Sequence, residues 1–284
     1  MQKQNDPKTG KIGISWTDWS SNPIRAKILE SPIAPEGSDM RPAAKIKKGW
    51  ACVKYGPDCE NCYAERINLR WGTGLKYSKD QLENVGFYLD EREFKAWQKV
   101  SGQRIFVCDM TDLFGEFMSG TMIHETLYQM AECKQNTFQV LTKRAYFMCK
   151  VVRSQLVLGA DYSNIWFGLS AGNQEVLERR FISEIATLPN LWLSLEPMIG
   201  RINLGSIAYI RSVKWIVAGG ESQTGCRPLD LDWLYDLVAQ CSDLGIPLFI
   251  KQLGGHPDKR KDINQWPDGL RVQEFPDGLK PKEV

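Results

Sequence analysis

From Arg104 onward the chain alternates short apolar runs with amphipathic stretches of helical spacing, and few folds accept that order. Arg104–Met110, Thr137–Thr142, Ile165–Leu169, Leu191–Leu195, Val213–Ala218 and Ile246–Ile250 read as strands. Thr121–Lys134, Ala145–Leu158, Gln174–Leu188 and Leu231–Leu244 read as helices between them. Strands separated by single helices form βαβ units and a parallel sheet. Right-handed crossovers then give an open doubly wound sheet or a barrel. With Lys11–Trp16 as a first strand the count is about seven, which favours an α/β fold with a full or partial (β/α) TIM-like barrel. The expected organisation is one barrel domain over residues 1–255, interrupted by an insertion at 24–49, with an irregular tail, 256–284, packed on it.

Hydrophobic residues make up 43% of the 284, enough for a sizeable core. Between Thr17 and Pro57, Pro23, Pro32, Pro35 and Pro42 predict an irregular segment, followed by a basic run of Lys45, Lys47 and Lys48. Cys62–Trp71 has helical spacing and ends at Gly72 and Gly74. No apolar run is long enough for a membrane span and the N-terminus lacks a signal-peptide core, so a soluble, cytoplasmic protein is expected. The formal net charge of +2 does not by itself mark a nucleic-acid binder.

In a parallel α/β sheet, function gathers at the carboxyl ends of the strands. Here those ends are polar: Asp109, Thr111 and Asp112; Lys143 and Arg144; Ser170, Asn173 and Gln174; Glu196; Glu221 and Ser222; Lys251 and Gln252. They predict one polar-lined mouth. Eight cysteines without a secretory signal argue for burial, metal binding or catalysis rather than disulfides. Cys52, Cys59 and Cys62 form C-x6-C-x2-C, with Gly56 and Pro57 bending the chain between the first two. Three thiolates suit a soft metal centre. An iron–sulfur cluster with one iron left open and a zinc site completed by a fourth ligand such as Cys108 are both compatible with this set. Cys62 opens a helix, where the dipole favours its thiolate. The remaining scattered cysteines read as buried thiols.

Several blocks carry a narrower resemblance: GISWTDWSSNP (13–23), GWACVKYGPDCENCYAERI (49–67), RIFVCDMTDLF (104–114), TFQVLTKR (137–144), IWFGLSAGNQ (165–174), LWLSLEPMIG (191–200), WIVAGGESQTGCRP (215–228) and IPLFIKQLGG (246–255). Together they resemble the phage-type three-cysteine-motif family, a radical-SAM-like group of bacteriophages and prophages. The resemblance implies a barrel of the radical S-adenosylmethionine (SAM) type, with Cys52, Cys59 and Cys62 holding a 4Fe-4S cluster whose open iron chelates SAM. One electron from a donor such as flavodoxin or ferredoxin would then release a 5′-deoxyadenosyl radical. It further implies that Asp109, Thr111 and Asp112 hold the methionine amino group, Lys143 its carboxylate, and Ser170 and Asn173 the ribose, with Glu196 and Glu221 later around the mouth. The chain departs from the pattern in the roughly 28 residues between Pro23 and Cys52, and in a cysteine spacing unlike the common C-x3-C-x2-C.

The family resembles enzymes of phage thymidine hypermodification, which implies a radical SAM isomerase acting on a modified base of phage DNA in the host cytoplasm. A base in duplex DNA would have to be flipped out to reach such a mouth. Arg41, Lys45, Lys47, Lys48, Lys54, Arg66 and Arg70 are the cations placed to meet phosphates. A radical SAM lyase repairing pyrimidine damage shares these features, with Cys226 as its candidate hydrogen donor. A zinc-stabilised nucleic-acid-binding protein is the non-enzymatic alternative.

Overall fold

The computed structural model describes residues 1–6, 11–30 and 45–279. Its strands are β1 (Gln2–Lys3), β2 (Asn5–Asp6), β3 (Lys11–Ile12), β4 (Trp19–Ser21), β5 (Ile24–Glu30), β6 (Lys45–Gly49), β7 (Gly86–Leu89), β8 (Arg104–Val107), β9 (Thr137–Thr142), β10 (Ile165–Ser170), β11 (Leu191–Leu195), β12 (Trp215–Gly219) and β13 (Leu248–Gln252). The helices are α1 (Tyr63–Trp71), α2 (Glu91–Trp97), α3 (Gly120–Glu132), α4 (Ala145–Val157), α5 (Gln174–Arg180) and α6 (Leu231–Leu244).

The main sheet has eight strands in the order β1-β4-β8-β9-β10-β11-β12-β13. All neighbours are parallel except β1 and β4. Local chemistry explains the helix ends that flank it. Asp230 accepts a hydrogen bond from the Asp232 amide to start α6, and Gly245, at φ 66°, stops it in the left-handed region that favours glycine.

The barrel expected from the alternation does not close. The sheet curls into an open half-barrel of mixed strands, because segments from both ends of the chain occupy its edges. At one edge β1 pairs with β4, and Gln4 donates to the Ser20 hydroxyl at 2.6 Å. At the other, the tail runs along β13: Phe249 bridges Gln273, and the Ile250 amide donates to Val272 at 2.8 Å. Covering both edges also shields backbone groups that would otherwise pair with another chain.

Two more expectations are corrected. Lys11–Trp16 is not a strand of the main sheet; only Lys11–Ile12 is extended, paired with β2, and Trp19–Ser21 takes the sheet position instead. The segment 17–57 is not irregular throughout. Within it, β5 and β6 form an antiparallel pair, and β7 completes a second sheet in the order β6-β5-β7. Of the prolines, Pro23 precedes β5, while Pro32, Pro35 and Pro42 lie outside the described residues.

The two faces of the main sheet bury different side chains, as the two-residue period of a strand requires. The outer face packs Val107, Val140, Phe167, Leu193 and Ile216 in the large core with the helices. At the bottom of the concave face Phe106, Trp166, Trp192, Trp215 and Phe249 surround Trp16. Trp16 lies 5.3 Å from Trp192 and 4.8 Å from Phe106, and Phe275 of the tail stacks on Trp215 at 5.7 Å. Aromatic packing closes this end, so polar chemistry is confined to the opposite one.

Candidate functional site

The three cysteines lie on the loop that leaves β6 and enters α1. Cys62 occupies the N-cap position of α1, and Gly72 ends the helix. Trp50, Cys52 and Cys62 pack against a small apolar cluster of Ala64, Tyr77 and Met110. The Tyr77 hydroxyl donates to the Met110 carbonyl at 2.7 Å, which ties this wall to the turn after β8. Each of the three thiols lies within electrostatic reach of the other two. Burial pushes the Cys52 thiol up to about 12, reinforced by the Asp112 carboxylate. Burial also raises Cys62, against the pull of the Glu65 and Ala64 amides at the start of α1. Among the described residues no group of three or more His, Cys, Asp or Glu side chains forms a ready metal-holding set. The donor set itself, three thiols, is of the soft kind that takes an iron–sulfur cluster or zinc. Metal binding there must displace protons, since the thiolate is the ligand.

Two buried arginines hold this loop against the strand ends. Asp58, between Cys52 and Cys59, is buried and accepts from both Arg180 terminal nitrogens, at 2.6 and 3.0 Å. Arg180 also donates to the Ser170 carbonyl at 2.8 Å. Lys143 Nζ lies 3.3 Å from Asp58 and 2.9 Å from the Ser170 hydroxyl. Burial alone would raise Asp58, but Lys143 and Arg180 hold it below the usual carboxylate range. Burial opposes the charge on Lys143, yet Asp58 and the Cys59 thiol keep its pKa raised. Arg144 is the second clamp. It donates to Asp112 at 2.9 Å, Glu116 at 2.6 Å and the Val53 carbonyl at 2.9 Å, with Tyr55 stacked over it at 4.6 Å.

The polar strand ends divide accordingly. Asp112 is saturated: one oxygen accepts from the Phe114 amide and the Thr142 hydroxyl, the other from Lys143 N and Arg144. Thr111 donates to the Ala51 carbonyl at 2.6 Å. Glu221 accepts from Asn61, from the Arg227 amide and from the Arg227 guanidinium, which latches the loop after β12 onto the cysteine loop. These three side chains are occupied as internal ties. Asn173 caps α5 by accepting from the Val176 amide at 3.0 Å. Glu196 pairs with Lys251 at 2.5 Å, and Cys226 is half-buried on the loop latched by Glu221. Cys108, Cys133, Cys149 and Cys241 are buried free thiols.

Asp109 keeps partial solvent access at the mouth. It accepts from Asn22 at 2.5 Å, and the Tyr63 hydroxyl donates to its carbonyl at 2.8 Å. Burial pushes its carboxyl up to about 6, partly offset by the Asn22 and Tyr63 bonds. A carboxyl whose folded pKa exceeds its unfolded value favours the fold while protonated and loses that contribution as pH rises. Wild type should therefore lose on the order of 2 kcal/mol relative to Asp109→Asn between about pH 4 and pH 6, at 1.36 kcal/mol per unit. Urea unfolding midpoints of both proteins across that window check this; a constant difference would place the carboxyl in water.

The predicted phosphate-binding cations do not share one surface role. Lys54 pairs with Glu65 at 2.8 Å, and Arg66 donates to the Thr224 carbonyl at 2.5 Å. Arg70 lies over the exposed Trp71 ring at 4.8 Å. Lys45, Lys47 and Lys48 are on β6, and Arg41 lies outside the described residues. Sequence reasoning missed Asp58, Arg180 and Asn22 as site residues. The one signal for Asp58 was an acid inside a cysteine loop, and Arg180 carried none: the helix expected to run to Leu188 ends at Arg180 instead.

Fold and site together define an open α/β half-barrel whose polar strand ends are joined to a three-thiol loop. Residues 46–276 match the family described as "Protein of unknown function (DUF5131)", and the chain belongs to that family. No curated protein and no solved structure matches it. Among the described residues no helix is long and apolar enough to cross a membrane.

Proposed function

We propose that the chain is a radical SAM enzyme acting on a base of DNA, with Cys52, Cys59 and Cys62 as ligands of a 4Fe-4S cluster. The observation that carries this reading is that three thiols lie within electrostatic reach of one another, and two of them of Lys143, at the strand ends of an α/β sheet. When bound, the cluster and SAM supply one-electron chemistry that makes a carbon radical able to abstract hydrogen. The protein's part is to hold, orient and exclude water. Trp50, Tyr77 and Met110 pack on the side of Cys52 and Cys62 and wall those two thiols from solvent there. Lys143, with its side chain 20% exposed, is the cation within reach of an incoming carboxylate. Asp109, half-buried, with its carboxyl pushed up to about 6 by burial, is the acceptor for an amino group. Thr111 and Asp112 act behind it, by fixing the cysteine loop and the turn after β9. The reaction class favoured by the sequence resemblance is rearrangement of a substituent on thymine, with an electron donor of the flavodoxin or ferredoxin kind.

Reduced, iron-loaded protein should convert SAM to 5′-deoxyadenosine and methionine, measured by liquid chromatography; no turnover in iron-replete protein overturns the reading. Lys143→Met should weaken SAM binding about 10- to 100-fold, the worth of one charged hydrogen bond, while iron content stays unchanged. Loss of iron from that variant would mean that Lys143 serves the cysteine loop through Asp58 instead.

A further inference from the structure

The small β6-β5-β7 sheet carries a cationic and aromatic face that none of the strand-end chemistry uses. Cross-strand register places Arg25 opposite Tyr88, Lys27 opposite Lys48, and Leu29 opposite Ile46. Directly opposed residues share a face, and alternate residues along β5 return to it, so all six lie on one side. The other side carries Ile24 and Ala26, both buried, opposite Leu89 and Phe87. Lys47 belongs to that other side, with its Nζ beside Gly74.

We propose that this face binds a single strand of DNA. Two lysines directly opposed on a ladder repel each other, and Lys27 and Lys48 keep this arrangement with the Tyr88 ring 6.0 Å from each Nζ. Arg25 lies 4.1 Å over the Trp50 ring. Arg25 Nε and Trp50 Nε1 are buried donors that find no acceptor within the protein among the described residues. The carboxylate that acts on Arg25, Asp90, is itself held by Arg92 at 2.7 Å. Cations flanking an aromatic ring on a flat sheet meet phosphates and stack a base, and only an unpaired strand offers free base faces. Trp50 links the face to the thiols, because it follows β6 directly and packs against the same Ala64, Tyr77 and Met110 cluster as Cys52 and Cys62. A strand lying along β5 is thus led toward the mouth. This rests on the reading of the mouth as acting on a DNA base, and it names the form in which that DNA arrives.

The test is fluorescence anisotropy of a short labelled oligothymidylate, titrated with the full-length protein in iron-loaded and metal-free forms over a series of salt concentrations. Lys27→Gln/Lys48→Gln should lower the salt slope by about 1.4, at about 0.7 per phosphate contact on a single strand. Tyr88→Leu, which keeps an apolar side chain but no ring, should weaken binding about 5- to 100-fold at every salt concentration. Melting temperatures equal to wild type verify that the variants fold, and unchanged binding in folded variants overturns the proposal. Equal binding of duplex DNA or heparin with Tyr88→Leu neutral overturns it in favour of a general polyanion surface, and preference for the matching RNA overturns the choice of DNA. Strand binding by protein that cannot be loaded with iron upholds this surface and faults only the catalytic reading.

Discussion

Asp58→Ala is expected to destabilise the protein by about 3–5 kcal/mol, the cost of leaving a buried charge without its partner. The Asp58 side chain is fully buried and the Arg180 side chain only 2% exposed, so water does not replace the lost carboxylate. Arg180 would retain the Ser170 carbonyl but no counter-charge. Lys143 would lose its nearest anion as well. In a chain of this size the loss corresponds to a fall of about 10 °C in melting temperature. Replacing both members of the pair, as Asp58→Leu/Arg180→Met, should recover much of it, because well-packed apolar groups often stand in for a buried ion pair. Thermal and urea unfolding of the three proteins decide the matter. A loss below about 1 kcal/mol for Asp58→Ala is the value of a solvated surface pair, and it would mean that this bond does not fasten the cysteine loop.

Cys59→Ala has the opposite profile. Iron should fall from about four atoms per chain to well under one, since a cluster cannot be held by the two remaining thiols. Stability should change by less than about 1 kcal/mol, because the thiol is only half-buried and accepts from the Tyr55 amide at 3.5 Å, a weak bond because sulfur is a poor acceptor. Iron analysis and a melting curve on the same preparation separate the two quantities. Full iron content in this variant would remove Cys59 from the ligand set, and a collapse in melting temperature would make it a structural residue. The pairing of these outcomes with those for Asp58 is informative: neighbouring residues in one turn are assigned to metal and to fold respectively.

Periodic local signals carried much of this fold in the sequence. Strand β9 and helix α6 fall where the order of apolar and amphipathic runs put them, and in the structure Asp230 and Gly245 cap the latter. Long-range pairing carried no such signal. The barrel fails to close because β1 and the segment around Gln273 occupy the two edges, and neither segment has the length or apolar character of a sheet strand. Strand β5 was hidden differently. Ile24, Ala26 and Ile28 alternate with Arg25, Lys27 and Leu29, which is a strand period, but the neighbouring prolines outweighed it. At the site, the identity of the strand-end residues was legible and their employment was not. Asp112 and Asp109 look alike in sequence, three residues apart. One is saturated by Arg144, Lys143 and Thr142, whereas the other keeps an open edge at the mouth. The Asp58–Arg180 pair spans 122 positions, so only folding brings its members together.

The central claim is that the loop from Cys52 to Cys62 holds an iron–sulfur cluster that binds SAM. Its most direct test is iron and acid-labile sulfide on anaerobically purified protein, followed by electron paramagnetic resonance of the reduced sample before and after adding SAM. The account predicts about four irons and four sulfides per chain, with a spectrum that changes when SAM is added. One zinc per chain and no sulfide would contradict it, and would make the cysteine loop a structural zinc site.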